Sequence, residues 1–344
     1  MSGEKTSGKK SKIKHIVVIG ASAGGLKALS GLVSQLPLDF PAPLLIVQHI
    51  SADASGDVLL NSLKQHGRLP CQHARSGDSI KPGNIYLAPS DHHMLVDKGD
   101  RLLITKGAAE NRSRPGIDPL FRSAAIHYRN KTIGIILTGY LDDGTSGLSA
   151  VQRCGGITIV QDPKDAEYPD MPENALNQMK VDYCIPLAEI GSILVRLAST
   201  KTGGNFPVPQ DLLIEGKIAE RVVSDLNAVN TLGDQVPFNC PGCGGVLWQI
   251  ETKGSKLRFR CHVGHAYTAA SLLAEQTSKI EETMWTALRM FEEKRNLLTT
   301  MAKSQTGAPA KMSKERTTLM QVHIERIRTV LLADDKATRS DTPK

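Results

Sequence analysis

His15-Ile16-Val17-Val18-Ile19-Gly20-Ala21-Ser22-Ala23-Gly24-Gly25 opens the folded part of the chain, and its reading decides the fold. The apolar, β-branched run predicts a strand buried on both faces, and the small residues after it predict a tight turn. A helical stretch follows, with Leu26, Leu29 and Leu32 expected on its inner face. Small residues on both sides of Ser22 permit a strained strand-to-helix turn that projects the hydroxyl beyond the sheet, the G-x-S-x-G arrangement of a nucleophile elbow. The same strand, turn and helix could cradle a phosphate, but the letters fit neither G-x-G-x-x-G nor a loop ending in G-K-[ST]. A purely structural turn also stays open at this point.

Outward from this stretch, short apolar runs alternate with helical segments. Strands are predicted at 15–20, 43–48, 84–87, 102–105, 132–138, 157–161 and 183–186. Continuous apolar runs such as Ile133-Gly134-Ile135-Ile136-Leu137 belong to parallel sheets covered by helices on both faces. The expected fold is therefore α/β, a doubly wound and mainly parallel Rossmann-like sheet. A serine hydroxyl is a weak nucleophile and needs a base, and the base needs an acid to orient it. His49 closes the run Leu44-Leu45-Ile46-Val47-Gln48, at the sheet edge where the first strand presents Ser22. Asp142 and Asp143 lie in the turn Thr138–Gly144 after another buried strand, where either could hold the imidazole or both could cap the next helix. The order Ser, His, Asp differs from the Ser, Asp, His of common α/β-hydrolases.

These residues carry a resemblance. The segment from about His15 to Val195 resembles the catalytic domain of the bacterial chemotaxis protein-glutamate methylesterases, the CheB type. Gly20–Gly25 matches that family's G-A-S-[TA]-G-G, Val47-Gln48-His49 its V-Q-H, and Leu137–Gly144 its L-T-G-x-x-x-D-G, which selects Asp143 over Asp142. Ile85–Pro89 with His92-His93-Met94, and Arg114–Phe121, match further motifs. The resemblance implies hydrolysis of γ-glutamyl methyl esters on chemoreceptors by Ser22, His49 and Asp143 without a catalytic cofactor, and in some members deamidation of receptor glutamines. It makes His93, Arg114 and Tyr140 candidates for substrate contact; a surface histidine and a solvated arginine are the plainer alternatives. Ala23, where many members have threonine, and Tyr140-Leu141, in place of methionine and glycine, put substrate preference in question. Members that respond to phosphorylation carry a receiver domain before this segment, whereas here a lysine-rich stretch precedes it, so control is expected to come from elsewhere. An esterase or amidase of another signalling target, and a non-catalytic zinc-ribbon adaptor, are the alternatives.

The rest of the chain reads as separate units. A Gly/Pro-rich break at 200–211 ends the catalytic segment, giving an expected layout of basic tail 1–14, catalytic domain 15–198, linker with a short helix 199–235, Cys/His unit 236–267, helical segment 268–335 and tail 336–344. Of the six cysteines, Cys71, Cys154 and Cys184 are isolated and read as small buried hydrophobes. Cys240-Pro241-Gly242-Cys243 and Cys261-His262-Val263-Gly264-His265 have the spacing of a zinc ribbon, with His265 favoured over His262 as fourth ligand of a structural Zn²⁺. Phe238, Trp248, Phe259 and Tyr267 read as packing residues of that unit. Two apolar seams, one from Leu273 to Met301 and one from Met320 to Leu331, predict a helical hairpin broken at Gly307–Pro309; self-association or docking of a signalling protein there is the other reading. The ribbon is expected to fold independently of the triad. Net charge is +7, spread thinly, which speaks against nucleic acid as partner. No run approaches the roughly 20 apolar residues of a membrane span and no secretory signal opens the chain, so a cytoplasmic protein is expected.

Overall fold

The computed structural model describes residues 13–201, 203–204, 206–221, 226–250 and 257–333. Of the expected tails, 336–344 lies wholly outside these residues and 1–14 lies outside them except for Ile13, which is buried, and Lys14. The elements run β1 (Ile16–Ala21), α1 (Gly25–Ser34), β2 (Leu44–Gln48), α2 (Asp57–His66), β3 (Cys71–His73), β4 (Ile85–Leu87), β5 (His93–Asp97), β6 (Arg101–Thr105), α3 (Ile117–Tyr128), β7 (Thr132–Ile136), α4 (Thr145–Arg153), β8 (Ile157–Gln161), α5 (Asp170–Gln178), β9 (Tyr183–Ile185) and α6 (Leu187–Ala198). Then follow α7 (Gln210–Arg221), α8 (Leu226–Asn230), β10 (Gly233–Asn239), β11 (Val246–Ile250), β12 (Arg258–Cys261), β13 (Ala266–Thr268), α9 (Ala269–Ser304) and α10 (Gly307–Leu332).

A seven-stranded sheet has the order β3-β4-β2-β1-β7-β8-β9, parallel throughout. Alternation along β1 divides its side chains between two cores. Ile16 and Val18 join α3, α4 and α5 on one face, while Val17, Ile19 and Ala21 join α1, α2 and α6 on the other. Each such fully buried Ile or Val contributes about 1.5–3 kcal/mol. Two expectations are corrected. The run at 102–105 is not a strand of this sheet; as β6 it pairs antiparallel with β5, and Cys71–His73 takes the edge position instead. Leu26 points outward at 43% exposure, because the buried stripe of α1 runs through Gly25, Ala28, Leu29, Leu32 and Val33.

Strands β10 to β13 form a four-stranded antiparallel sheet in sequence order. Trp248, Phe259 and Tyr267 are buried in it, whereas Phe238 is exposed. Helix α7, in the expected linker, belongs to the packed body: Leu212 enters the core on the α3 face of the seven-stranded sheet and Ile218 packs with Val229, Leu232, Trp248 and Ile250. Five buried charges join the two sheets. Glu215 on α7 pairs with Arg122 (3.0 Å), Arg258 (2.7 Å) and Arg260 (3.2 Å), and Glu110 pairs with Arg122 (2.8 Å) and Arg260 (2.9 Å). Breaking such a network from one side leaves uncompensated buried charge, so Glu215→Ala is expected to cost about 3–5 kcal/mol in denaturant titration of the full chain. Burial alone would push the Glu110 carboxyl up, but Arg122 and Arg260 outweigh it and bring it down to about 2 from 4.5. Because the folded value is depressed, the stability Glu110 contributes is complete above pH 4.5 and is lost as pH falls toward 2. In Glu110→Gln that acid-dependent loss should shrink in a pH series of melting curves.

From Leu273 onward the chain forms a second compact unit. In it α9 and α10 pack as a hairpin through Leu288, Leu298, Met320 and Ile324, with Arg328 on Glu292 (2.6 Å), Arg295 on Gln321 (2.9 Å) and Phe291 against His323. The break lies slightly earlier than expected, at Gln305-Thr306, and Pro309 sits in the first turn of α10, where its missing N–H costs nothing. Leu273, Ile280, Trp285, Met290 and Leu297 stay exposed. Cys71 and Cys154 are buried, with burial pushing both thiols up to about 11, but Cys184 is exposed, contrary to its expected burial.

Candidate active site

Strand order reverses at β1, between β2 and β7, so the carboxyl ends of these three strands border a natural crevice. All three expected triad residues lie at this edge. The β1–β2 register aligns Ala21 with Gln48, which sets Ser22 across from His49, and His49 N donates to Ala21 O at 3.0 Å. On the other side Ser22 N donates to Thr138 O at 3.0 Å, and the turn after β7 carries Asp143. Gly24, in the left-handed region at φ 74, starts α1 with no side-chain cap. A Cβ at Gly25 would lie 1.8 Å from Gln48 Oε1 and 2.9 Å from Ala21 Cβ, so a larger residue there would have to displace the Gln48 amide. Gln48 in turn donates through Nε2 to Ser22 O (2.7 Å) and to His49 O (3.0 Å), tying the turn and the histidine backbone together.

His49 Nε2 is 2.8 Å from Asp143 Oδ2. Asp143 is buried and densely supplied with donors: Oδ2 also accepts from Ile117 N (2.7 Å), and Oδ1 from Asn111 Nδ2 (3.0 Å), Gly144 N (3.0 Å) and Asp118 N (3.4 Å). Burial would raise its carboxyl, but His49, the Ile117 N–H and Asn111 together hold it below the usual carboxylate range. Its buried neighbour Asp118 is pushed up to about 7 by burial first and by Asp143 second, against the pull of Arg258, Arg122 and the Gly147 N–H. The other ring nitrogen of His49, Nδ1, lies 3.5 Å from Ser113 Oγ. A cleft of about 470 Å³ opens on His49, lined among others by Ser51, Arg112, Ser113, Arg114 and His265.

The candidate substrate contacts separate. Arg114 lines the cleft, but its guanidinium is engaged by Asp91, with Nε at 2.8 Å, and by Gly107 O. His93 is buried; its Nε2 lies 3.0 Å from Ala108 O and its Nδ1 accepts from Gly116 N, so it braces the loop behind the cleft. Tyr140 is exposed and packs edge-on against Tyr168 near the Ser22 turn. Asp142 is buried beside Asp143 but the His49 bond goes to Asp143. The residues given no role from sequence are Gln48, Asn111, Ser113 and Asp118; the motif matches at Val47–His49 and Arg114–Phe121 contained Gln48 and Asp118, and nothing pointed to Asn111 or Ser113.

Cys240, Cys243, Cys261 and His265 bring one ligand atom each within 4.8 Å of the others, a group that could hold a metal ion. Cys243 and Cys261 sulfurs are 3.6 Å apart and Cys261 Sγ is 3.5 Å from His265 Nδ1. A tetrahedral metal with bonds of about 2.3 Å to sulfur separates its ligand atoms by about 3.8 Å, so the donor set fits. His262 stands outside the group, edge-on to Trp248. Among the described residues no helix is long and apolar enough to cross a membrane.

Comparisons with known proteins bear on the same segment. A protein of Leptospira interrogans assigned as a protein-glutamate methylesterase/protein-glutamine glutaminase is 39% identical over 181 residues, 53% of this chain and 93% of its own length. A protein-glutamate methylesterase/protein-glutamine glutaminase of Syntrophus aciditrophicus is 35% identical over 199 residues, 58% of this chain and 57% of its own. The crystal structure of the Thermotoga maritima CheB methylesterase catalytic domain superposes with a TM-score of 0.51 at 34% identity, covering 53% of this chain and 98% of that one. Residues 17–194 match the CheB methylesterase family, and the chain belongs to it.

Proposed function

We propose that the protein is a serine hydrolase that removes methyl esters from chemoreceptor glutamates and deamidates receptor glutamines. The observation that carries this reading is the His49–Asp143 pair, 2.8 Å apart at the strand edge that presents the Ser22 turn. With Nε2 committed to Asp143, Nδ1 is the ring atom left to act as base. Ser22 Oγ adds to the γ-carbonyl as Nδ1 takes its proton, and N–H groups at the uncapped start of α1 receive the developing oxyanion. His49 returns the proton to the leaving methoxide, releasing methanol; water, activated by the same nitrogen, then frees glutamate from the acyl-enzyme. Asp143 fixes the imidazole tautomer. No cofactor enters this cycle.

Zn²⁺ is the metal we assign to the Cys₃His group, as a structural ion whose four protein ligands leave no position for water. The exposed apolar residues of α9 and α10 support self-association or docking of a signalling protein on that hairpin, and a cytoplasmic location is part of this reading.

Incubating the full chain with methyl-labelled receptor and counting released methanol tests the assignment. Release that disappears in Ser22→Ala supports it. No release from receptor, with simple esters still hydrolysed, would move the substrate to another methylated protein. Ser113→Ala separates the two serines near His49: it should leave ester hydrolysis within a few-fold of wild type, since 3.5 Å to Nδ1 is too long for a working hydrogen bond.

A further inference from the structure

Asn111 lies between the hydrolase site and the Cys/His unit. Its Nδ2 donates to Asp118 Oδ2 (2.9 Å) and to Asp143 Oδ1 (3.0 Å), while its Oδ1 accepts from Thr268 N (3.1 Å) and Ser271 Oγ (3.3 Å). Both amide hydrogens and both oxygen lone pairs are thereby used. The side chain has one orientation, and half of what fixes it comes from β13 and the first turn of α9. The backbone is held from the same side. Asn111 and Arg112 adopt φ 49 and φ 66, a left-handed conformation that costs energy for residues with a Cβ. Asn111 N donates to Ala266 O at 2.8 Å, and Ala266 N to Ala109 O at 3.4 Å.

Ala266 directly follows His265, and Cys261 N donates to His265 O at 2.9 Å, so two members of the Cys₃His group bracket the turn that presents Ala266 and Thr268. The core beneath this turn consists of Cys240, Leu247, Phe259, Cys261, Tyr267 and Leu272, and two of these are members of the group. With two metal ligands among these six buried residues, the packing directly beneath the turn depends on the metal. His265 also lines the cleft beside His49.

We infer that metal occupancy of the Cys240–Cys243–Cys261–His265 group controls hydrolysis at Ser22, with Asn111 as the positioning residue that transmits the state of the ribbon to Asp143. The inference rests on the hydrolase reading above. With the metal bound, β13 pins the Asn111 amide, whose two N–H groups sit between the carboxylates of Asp118 and Asp143. Without it the amide loses its acceptor-side partners and its backbone support, Asp143 loses a donor, and His49 is no longer held for the proton transfers. Turnover falls while KM for a substrate too small to reach the ribbon stays unchanged.

The test uses the full zinc-loaded chain and p-nitrophenyl acetate, with the Ser22→Ala rate subtracted as background. Stripping zinc with a chelator should lower kcat at least about tenfold, the scale of one hydrogen bond to a charged group, and added Zn²⁺ should restore it. Asn111→Ala should lose a similar factor while keeping its zinc. Stripping that variant should cost little more, because coupled changes do not multiply. Unchanged or higher kcat after confirmed zinc release, purified chain without bound metal, or losses that multiply would each overturn the link. Should stripped protein unfold, Asn111→Ala decides alone, since it keeps its metal: full activity there overturns the proposal. Absence of any Ser22-dependent hydrolysis in the zinc-loaded wild type is a different result, which overturns the hydrolase reading and the link together.

Discussion

Ser22→Ala and His49→Ala are each expected to lower ester hydrolysis by about 10⁶-fold, the scale seen when one member of a hydrolytic triad is removed from an otherwise intact site. Neither change should disturb the fold, because both residues sit at the open carboxyl end of the sheet rather than within its cores. Ser22 is held by its backbone, through Thr138 O and Gln48 Nε2, and those bonds survive loss of the hydroxyl. The double variant should be no slower than either single one, since the nucleophile without its base and the base without its nucleophile are equally idle. Initial rates on a simple methyl ester, with melting curves for each variant, check this. Losses that multiply would show that Ser22 and His49 do not share a mechanism.

Asp143→Asn is expected to reduce turnover by about 10⁴-fold with little change in KM. An amide has one acceptor oxygen where the carboxylate has two, and Asp143 uses both: one for His49 and Ile117 N, the other for Asn111, Gly144 N and Asp118 N. Whichever way the new amide turns, its NH₂ faces a donor, and turned toward His49 it forces the proton onto Nδ1, the atom that must act as base. Asp142→Asn, which leaves the His49 bond in place, should be mild. Exchanged outcomes for the two aspartates would reassign the orienting acid.

Much of this site was legible because it is written in strand ends. An apolar β-branched run that ends in glycine, as at Ile19-Gly20 or Leu137-Thr138-Gly139, or in a polar residue, as at Val47-Gln48, marks both a buried parallel strand and the point where it stops, and Ser22, His49 and Asp143 lie just beyond such points. The three-residue β3 was too short to carry a period. Arg101–Thr105 has a strand's composition, and composition does not say which sheet it joins. Asn111 was beyond reach for a different reason: it sits in a polar loop without periodicity, and its partners Thr268 and Ser271 lie more than 150 residues away. Arg258 and Arg260 flank a core phenylalanine and read as the solvent face of a ribbon strand; only Glu110 and Glu215 make them interior. The same buried pairs tie the ribbon strand β12 to Glu110, α3 and α7, contacts that the spacing of the Cys/His unit does not reveal.

The most direct measurement is the identity of the residue that a serine-directed fluorophosphonate modifies, read by mass spectrometry of digested full-length protein. One phosphonyl adduct is expected on the peptide containing Ser22, absent in Ser22→Ala and strongly slowed in His49→Ala. An adduct on Ser113, or modification of Ser22 that is indifferent to His49, would contradict it.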